Sequence, residues 1–209
     1  MRIVKESEER RNEILDAAEE LFAIKGYDKT STNDILDRVG IARGTLYYHF
    51  KSKEEIMDAV IERMGKGIVE KAEAIANNSE MPLMKRLTGT ILALHVTPKE
   101  GIDTEVMNQI HQPQNALMHQ KVMMMILKDI TPVISILVRE GIDTGIFETK
   151  CPDVAVEMIL TYGGIAFDDL MVQSDEEEMW RMNGFIYNIE RLLGAEENTL
   201  RKELPEAVA

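Results

Sequence analysis

The chain has 209 residues, 44% of them apolar, and a formal charge of −13. That is enough apolar material for a sizeable core, in one large helical domain or in a small domain fused to a larger one. One cysteine, no signal-peptide pattern and no apolar run approaching the roughly 18 residues of a membrane span predict a soluble, cytoplasmic protein with no membrane partner.

The elements are helical from the start. Ile14, Ala17, Ala18, Leu21 and Phe22 recur at helical spacing, and Gly26-Tyr27 ends that helix. Thr32 can cap a second helix, barely two turns long, whose apolar positions are Ile35, Leu36 and Val39. Gly40 sits where a left-handed C-terminal residue costs least. Ile41 fills the turn. A third helix follows from Arg43, in which Leu46 and Phe50 lie four apart and share a buried face. Its other face carries Arg43, Thr45, Tyr47, Tyr48 and His49, residues able to bond phosphates and base edges or to pack on thymine methyls. Gly44 in its first turn allows close backbone approach. Two short helices around a glycine-marked turn match the helix-turn-helix pattern. Ser52-Lys53-Glu54-Glu55 then reads as a capping box, and the positive end of the new helix with the Lys53 ammonium makes an anion site suited to a DNA phosphate.

Across Glu13 to Ile56, the residues Ala17-Ala18, Leu21-Phe22, Gly26-Tyr27, Thr30, Thr32, Ile35, Gly40, Gly44-Thr45-Leu46-Tyr47-Tyr48-His49-Phe50 and Lys53 resemble the N-terminal domain of the TetR family of bacterial repressors. The resemblance implies an all-α homodimer: an N-terminal three-helix helix-turn-helix domain and a larger C-terminal helical domain for ligand binding and dimerisation. It also implies binding to a palindromic DNA operator and release by a small-molecule effector. By that resemblance Thr45, Tyr47, Tyr48 and His49 map onto the recognition helix, Thr32 onto a phosphate-contacting helix start, and Lys53 onto a phosphate clamp. The chain departs from the family at Ala42, where many members carry serine, and at Val39, where alanine is common. Ala42 offers neither a side-chain cap nor a hydroxyl for phosphate. We expect a reader over residues 1–52, a regulatory and dimerisation domain over 53–195, and a frayed tail over 196–209.

Charge is distributed in keeping with this. Residues 1–53 hold ten basic and ten acidic residues, the remainder 14 basic and 27 acidic. An acidic C-terminal part would repel DNA and confine contact to the motif; plain solubility explains the same imbalance.

Beyond the motif, Ile56, Val60, Met64 and Ile68 mark a long connecting helix ending near Asn77-Asn78. Further helices are expected over Met81 to Val96, Thr104 to His111, Asn115 to Glu140 with a possible kink at Pro132 and a stop at Gly141, Pro152 to Met171, and Glu176 to Leu193. The last two are apolar around more than one face, so a subunit interface is expected, through Tyr162, Gly163, Ile165, Ala166, Met182, Phe185, Ile186 and Ile189. Gly163-Gly164 would allow close helix approach.

Effector contacts are expected among His95, Met107, His111, Met124, Tyr162 and Phe167, though methionine and aromatic residues at helical spacing also suit an ordinary core. An inward-facing Asp168 or Asp169 would favour a cationic ligand. The histidine spacings give no compact metal pair, and there is no phosphate loop or nucleophile elbow. No metal, no cofactor, no catalytic residue and no enzymatic activity are therefore expected. Cys151, at a helix start, is more economically a boundary residue than a redox sensor. The rival to an effector-controlled repressor is a DNA reader whose C-terminal domain binds a protein partner and no small molecule.

Overall fold

A computed structural model of the chain describes residues 2–94, 115–166 and 174–204, and all of its regular structure is helical. In chain order the helices are α1 (Arg2–Lys25), α2 (Thr32–Val39), α3 (Arg43–His49), α4 (Lys53–Ala76), α5 (Leu83–Leu92), α6 (Ala116–Asp143), α7 (Pro152–Ala166) and α8 (Asp175–Leu193), with a short 3-10 turn at Arg201–Glu203. The all-α architecture expected from the sequence is the one observed. The helix expected over 104–111 lies outside the described residues, as do His95, Met107, His111, Phe167, Asp168 and Asp169.

Two compact units emerge: one holds residues 2–65 and 115–122, the other residues 66–94, 123–166 and 174–204. In the first, Ile14, Leu15, Ala18 and Phe22 of α1 are buried, as are Ile35 and Leu36 of α2, Leu46 of α3, Phe50, and Ile56, Met57 and Val60 of α4. The α1 and α4 sets recur at three- or four-residue spacing, Leu46 and Phe50 lie four apart, and α2 contributes the adjacent Ile35 and Leu36, so each helix turns one apolar stripe inward. Tyr27 closes the end of α1 by meeting Phe22 edge-on, with ring centroids 5.3 Å apart.

In the second unit, Ile68 and Ala72 of α4, Leu87 of α5, Ile130, Ile134, Leu137 and Val138 of α6, Ala155, Val156, Ile159 and Leu160 of α7, and Ile186, Ile189 and Leu193 of α8 form one cluster. Arg86 ties its edges together, donating to the carbonyl oxygens of Ala76 and Met81, each at 3.2 Å, and pairing with Glu140. α6 runs on through Pro132 to Asp143, past the stop expected at Gly141. Gly141 instead makes room for a ring. A Cβ there would stand 2.1 Å from buried Phe147, so the bare Cα is where that side chain sits. The positive backbone angle falls later, at Gly145 (φ 75°).

The tail also differs from expectation. Residues 196–204, inside the stretch expected to fray, are folded against α8. Glu190, 2% exposed, accepts the backbone N–H groups of Asn198 (2.9 Å), Leu200 (2.8 Å) and Arg201 (3.4 Å). With Leu200 buried beside it, one carboxylate anchors the whole turn.

Candidate nucleic-acid interface

The reader is built from the end of α1 to the start of α4. α2 is capped by Ser31, and Thr32 is the first residue inside the helix, not its cap. Ser31 Oγ accepts from Asp34 N at 3.1 Å while Asp34 Oδ2 accepts from Ser31 N at 2.7 Å, a reciprocal box that satisfies two end amides. Lys25 donates to the other carboxylate oxygen of Asp34 at 2.7 Å. These bonds, the Lys25 ammonium's first, hold the Asp34 carboxyl far below the ordinary carboxylate range. Ser31-x-x-Asp34 has the spacing of a capping box, so the sequence itself carries the signal that moves the cap from Thr32 to Ser31. At the other end Gly40 takes the left-handed conformation expected of it (φ 72°, ψ 38°), and the N–H groups of Gly40 and Ile41 both reach Leu36 O. Arg38 forks onto Glu20, fastening α2 to α1.

α3 then emerges in a fixed direction. Leu46 and Phe50 are 1% and 2% exposed, and Tyr48 is 79% exposed, with Tyr47 at 45%. Arg43 and Gly44 are exposed, and Thr45 and His49 are half-buried. The helix thus spends one face on its anchor and leaves Tyr47 and Tyr48 of the other open to solvent. Arg43 Nη2 donates to Asn33 Oδ1 at 2.9 Å, linking the beginnings of α2 and α3. Ala42 provides no side-chain cap, as expected. Arg11 of α1 lies over the Phe50 ring, 5.1 Å from its centroid, beside the recognition helix; no local sequence signal marks it as a neighbour. Burial, with smaller contributions from Arg11 and Arg10, pushes His49 below the usual imidazole range, so it is neutral at pH 7.

The capping box at α4 is half as expected. Ser52 Oγ accepts from Glu55 N at 3.1 Å, but Glu55 reaches past Ser52 to Lys51 N at 2.6 Å. Lys53 turns inward: its ammonium donates to Tyr27 O (2.7 Å) and Thr30 O (2.9 Å) and lies over the Tyr27 ring, 4.1 Å from the centroid.

In the second unit, the expected interface residues divide. Ile186 and Ile189 are buried inside the chain's own core and cannot be the surface that meets a partner, whereas Ala166, itself only 3% exposed, lines an open groove with Tyr162 and Ile165. Gly163 and Gly164 receive side chains of their own unit: a Cβ on the first would meet Phe185 at 3.3 Å and on the second Met123 at 2.4 Å. What is exposed is a stripe of α7, Val154, Met158, Tyr162 and Ile165, with Met179, Trp180 and Tyr187 of α8. The α7 residues and Arg181 line a shallow, mainly apolar groove. Tyr162 therefore stands on an open face, its ring 5.2 Å from that of Phe185, and Met124 is 62% exposed on α6. Neither is enclosed by the residues described.

The first unit has the architecture of a helix-turn-helix DNA-binding protein: a short capped helix, a left-handed glycine and a second helix offering its polar face outward. Two family models match the sequence: bacterial regulatory proteins of the tetR family over residues 14–60, and the tetracyclin repressor-like C-terminal domain over residues 100–185. The chain belongs to the TetR family of bacterial regulatory proteins.

Among curated relatives, the HTH-type transcriptional repressor KstR2 of Mycolicibacterium smegmatis is 38% identical over 84 residues, 40% of either chain. The fatty acid metabolism regulator protein of Bacillus subtilis is 28% identical over 144 residues, 68% of this chain and 73% of that one. The matches to KstR2 proteins span 40–46% of those relatives' length. The crystal structure of RolR in complex with resorcinol shares the fold, with a TM-score of 0.67 and 19% identity over 98% of this chain and 99% of that one. No helix among the described residues is long and apolar enough to cross a membrane.

Proposed function

We propose that the protein is a cytoplasmic, homodimeric transcriptional repressor that binds a palindromic operator and is released from it by a small-molecule effector. The observation that carries the reading is the division of α3, which is anchored by Leu46 and Phe50 and turns Arg43, Tyr47 and Tyr48 to solvent. Each recognition helix enters a major groove, Thr45, Tyr47, Tyr48 and His49 face base edges, and Arg43, Thr32 and Lys53 meet the backbone. Similarity to the KstR2 repressor supports repression. The recognition elements lie within residues 1–52, and Lys53, the first residue of α4, completes the DNA face ahead of the regulatory part.

The exposed stripe of α7 and α8 is the dimer face. Seven large apolar residues left open along one helix pair form a patch that a monomer rarely carries alone, and a second copy covers it by two-fold symmetry. For the effector, the supporting feature lies in the second unit. Thr88 and Thr144 return their hydroxyls to the carbonyl oxygens of Met84 and Glu140, both at 2.9 Å, whereas buried Thr90 and Thr131 have no partner for theirs among the described residues. Each such orphan costs about 1–3 kcal/mol. An effector that reached these hydroxyls with a hydroxyl or carbonyl of its own would offset that cost. Its binding shifts the dimer away from the operator spacing by no more than its own difference in affinity for the two states.

The test is fluorescence anisotropy with DNA from upstream of the protein's own gene, at two salt concentrations, against a scrambled duplex. Sequence-selective, salt-sensitive binding with two protomers per site is expected. Equal weak binding to both duplexes would count against the operator reading and favour a C-terminal domain that serves a protein partner.

A further inference from the structure

We propose that Asn115, immediately ahead of α6, is a positioning residue for DNA binding: it fixes Tyr27, and Tyr27 fixes the Lys53 ammonium. The inference rests on Lys53 meeting a phosphate, and on four contacts within the first unit.

A lysine ammonium on a four-carbon stem samples many positions, so a phosphate contact depends on what holds it. Here two of its three donors are committed, to Tyr27 O at 2.7 Å and Thr30 O at 2.9 Å, with the Tyr27 ring beneath it. The third remains for a phosphate oxygen. The seat is one turn of chain, residues 26–30, closed by the Thr30 hydroxyl on Gly26 O at 2.8 Å and by Thr30 N on the carbonyl oxygens of Gly26 and Tyr27, each at 3.2 Å.

That turn follows the end of α1. Gly26 has left the helix (φ 83°), so the N–H of Tyr27 has lost its helical acceptor, and Tyr27 is only 8% exposed. The acceptor it finds is Asn115 Oδ1, at 2.6 Å and 88 residues away, on a side chain 1% exposed. Six residues further on, Lys121 donates to Asp58 Oδ1 (2.7 Å) and pairs with Glu54 Oε1 (3.0 Å), both on the first turns of α4. Met118, between them, is 2% exposed. The chain from Asn115 to Lys121 therefore grips both the turn that seats the ammonium and the helix that carries its backbone. Any event that shifts the start of α6 is felt at the phosphate contact.

The full-length protein is titrated with a labelled duplex of arbitrary sequence over a salt series, since a phosphate contact is blind to sequence. Lys53→Met should lower the slope of log affinity against log salt by about 0.9, the value of one phosphate. Asn115→Leu, which keeps volume and removes the acceptor, should lose at least half of that slope and weaken binding about threefold to tenfold at fixed salt. Asn115→Asp, which keeps an acceptor oxygen, should recover most of the loss. The double variant should bind no more weakly than Lys53→Met alone, because the two residues act through one contact. If Asn115→Leu does not fold, Asn115→Ser, whose hydroxyl falls short of Tyr27, takes its place. A wild-type slope in Lys53→Met overturns the phosphate clamp itself. A lowered slope there with a wild-type slope at position 115, or additive losses in the double variant, overturns the positioning role alone.

Discussion

Trp180 provides the sharpest test of how two copies meet. Its indole is 72% exposed on α8, next to Met179 and on the helix that packs against α7, so the chain's own fold has little stake in it. A tryptophan side chain offers roughly 200 Å² to bury, which leaves on the order of 150 Å² for a partner to cover. At about 25 cal/mol per Å², that is an upper bound of about 4 kcal/mol for each copy. Halving it for incomplete cover and relaxation, and doubling for the two copies of a symmetric face, Trp180→Ala should weaken the dimer by about 4 kcal/mol, roughly a thousandfold in dissociation constant. Sedimentation equilibrium over a dilution series measures this directly, and circular dichroism should show helix content unchanged. Ile24→Ala is the control: Ile24 is 70% exposed on α1, outside the proposed face, and its loss should leave dimerisation alone. A dimer constant within about threefold of wild type for Trp180→Ala would refute the placing of Trp180 at the centre of the face, since only the contacts that surround such a centre are near neutral.

Other consequences follow from the same partition between anchor and reader. Tyr48→Ala should alter base preference in a panel of operator variants while moving stability by no more than about 0.5 kcal/mol, because the ring is 79% exposed; a changed melting temperature with unchanged preference would contradict the reading. Gly141→Ala places a methyl 2.1 Å from the Phe147 ring and should destabilise the second unit by about 1–3 kcal/mol in urea unfolding, without touching α3. His49 is neutral at pH 7 in the free protein, and a nearby phosphate would favour its protonated form. Its value is then higher in the complex than in the free protein, so binding takes up a proton. Affinity gains fully below the free-state value and loses that gain as pH rises through the bound value. Binding should tighten on lowering the pH from about 8 to about 6, and His49→Gln should flatten the dependence; an equal dependence in both proteins would place His49 away from the DNA.

The reader was legible because its signals are local. Leu46 and Phe50 at i and i+4, a glycine at a left-handed position and Ser52 ahead of Glu55 each report a backbone geometry within one or two turns, and each stands where it was expected. Ser31 was readable by the same logic, from Asp34 three positions on. Pattern fails where a residue's neighbour lies far along the chain. Gly141 looks like a helix stop until Phe147 folds back onto it, and Ile186 and Ile189 look like one more apolar face until the core fills around them. Glu190 and the tail it holds had no signal at all, since an acidic residue near a helix end ordinarily faces water.

Lys53 illustrates what pattern alone leaves out. The sequence supports a cation at a helix start, and a free ammonium there would be drawn to any phosphate within reach. With two donors spent on the turn at residues 26–30, the same cation closes the end of α1 and keeps one direction for DNA. On the proposed phosphate contact, position 53 serves fold and function through separate bonds. The salt slope and the melting temperature of a variant there should fall together, whereas at Tyr48, which carries no such double duty and faces base edges, both should hold and base preference alone should change.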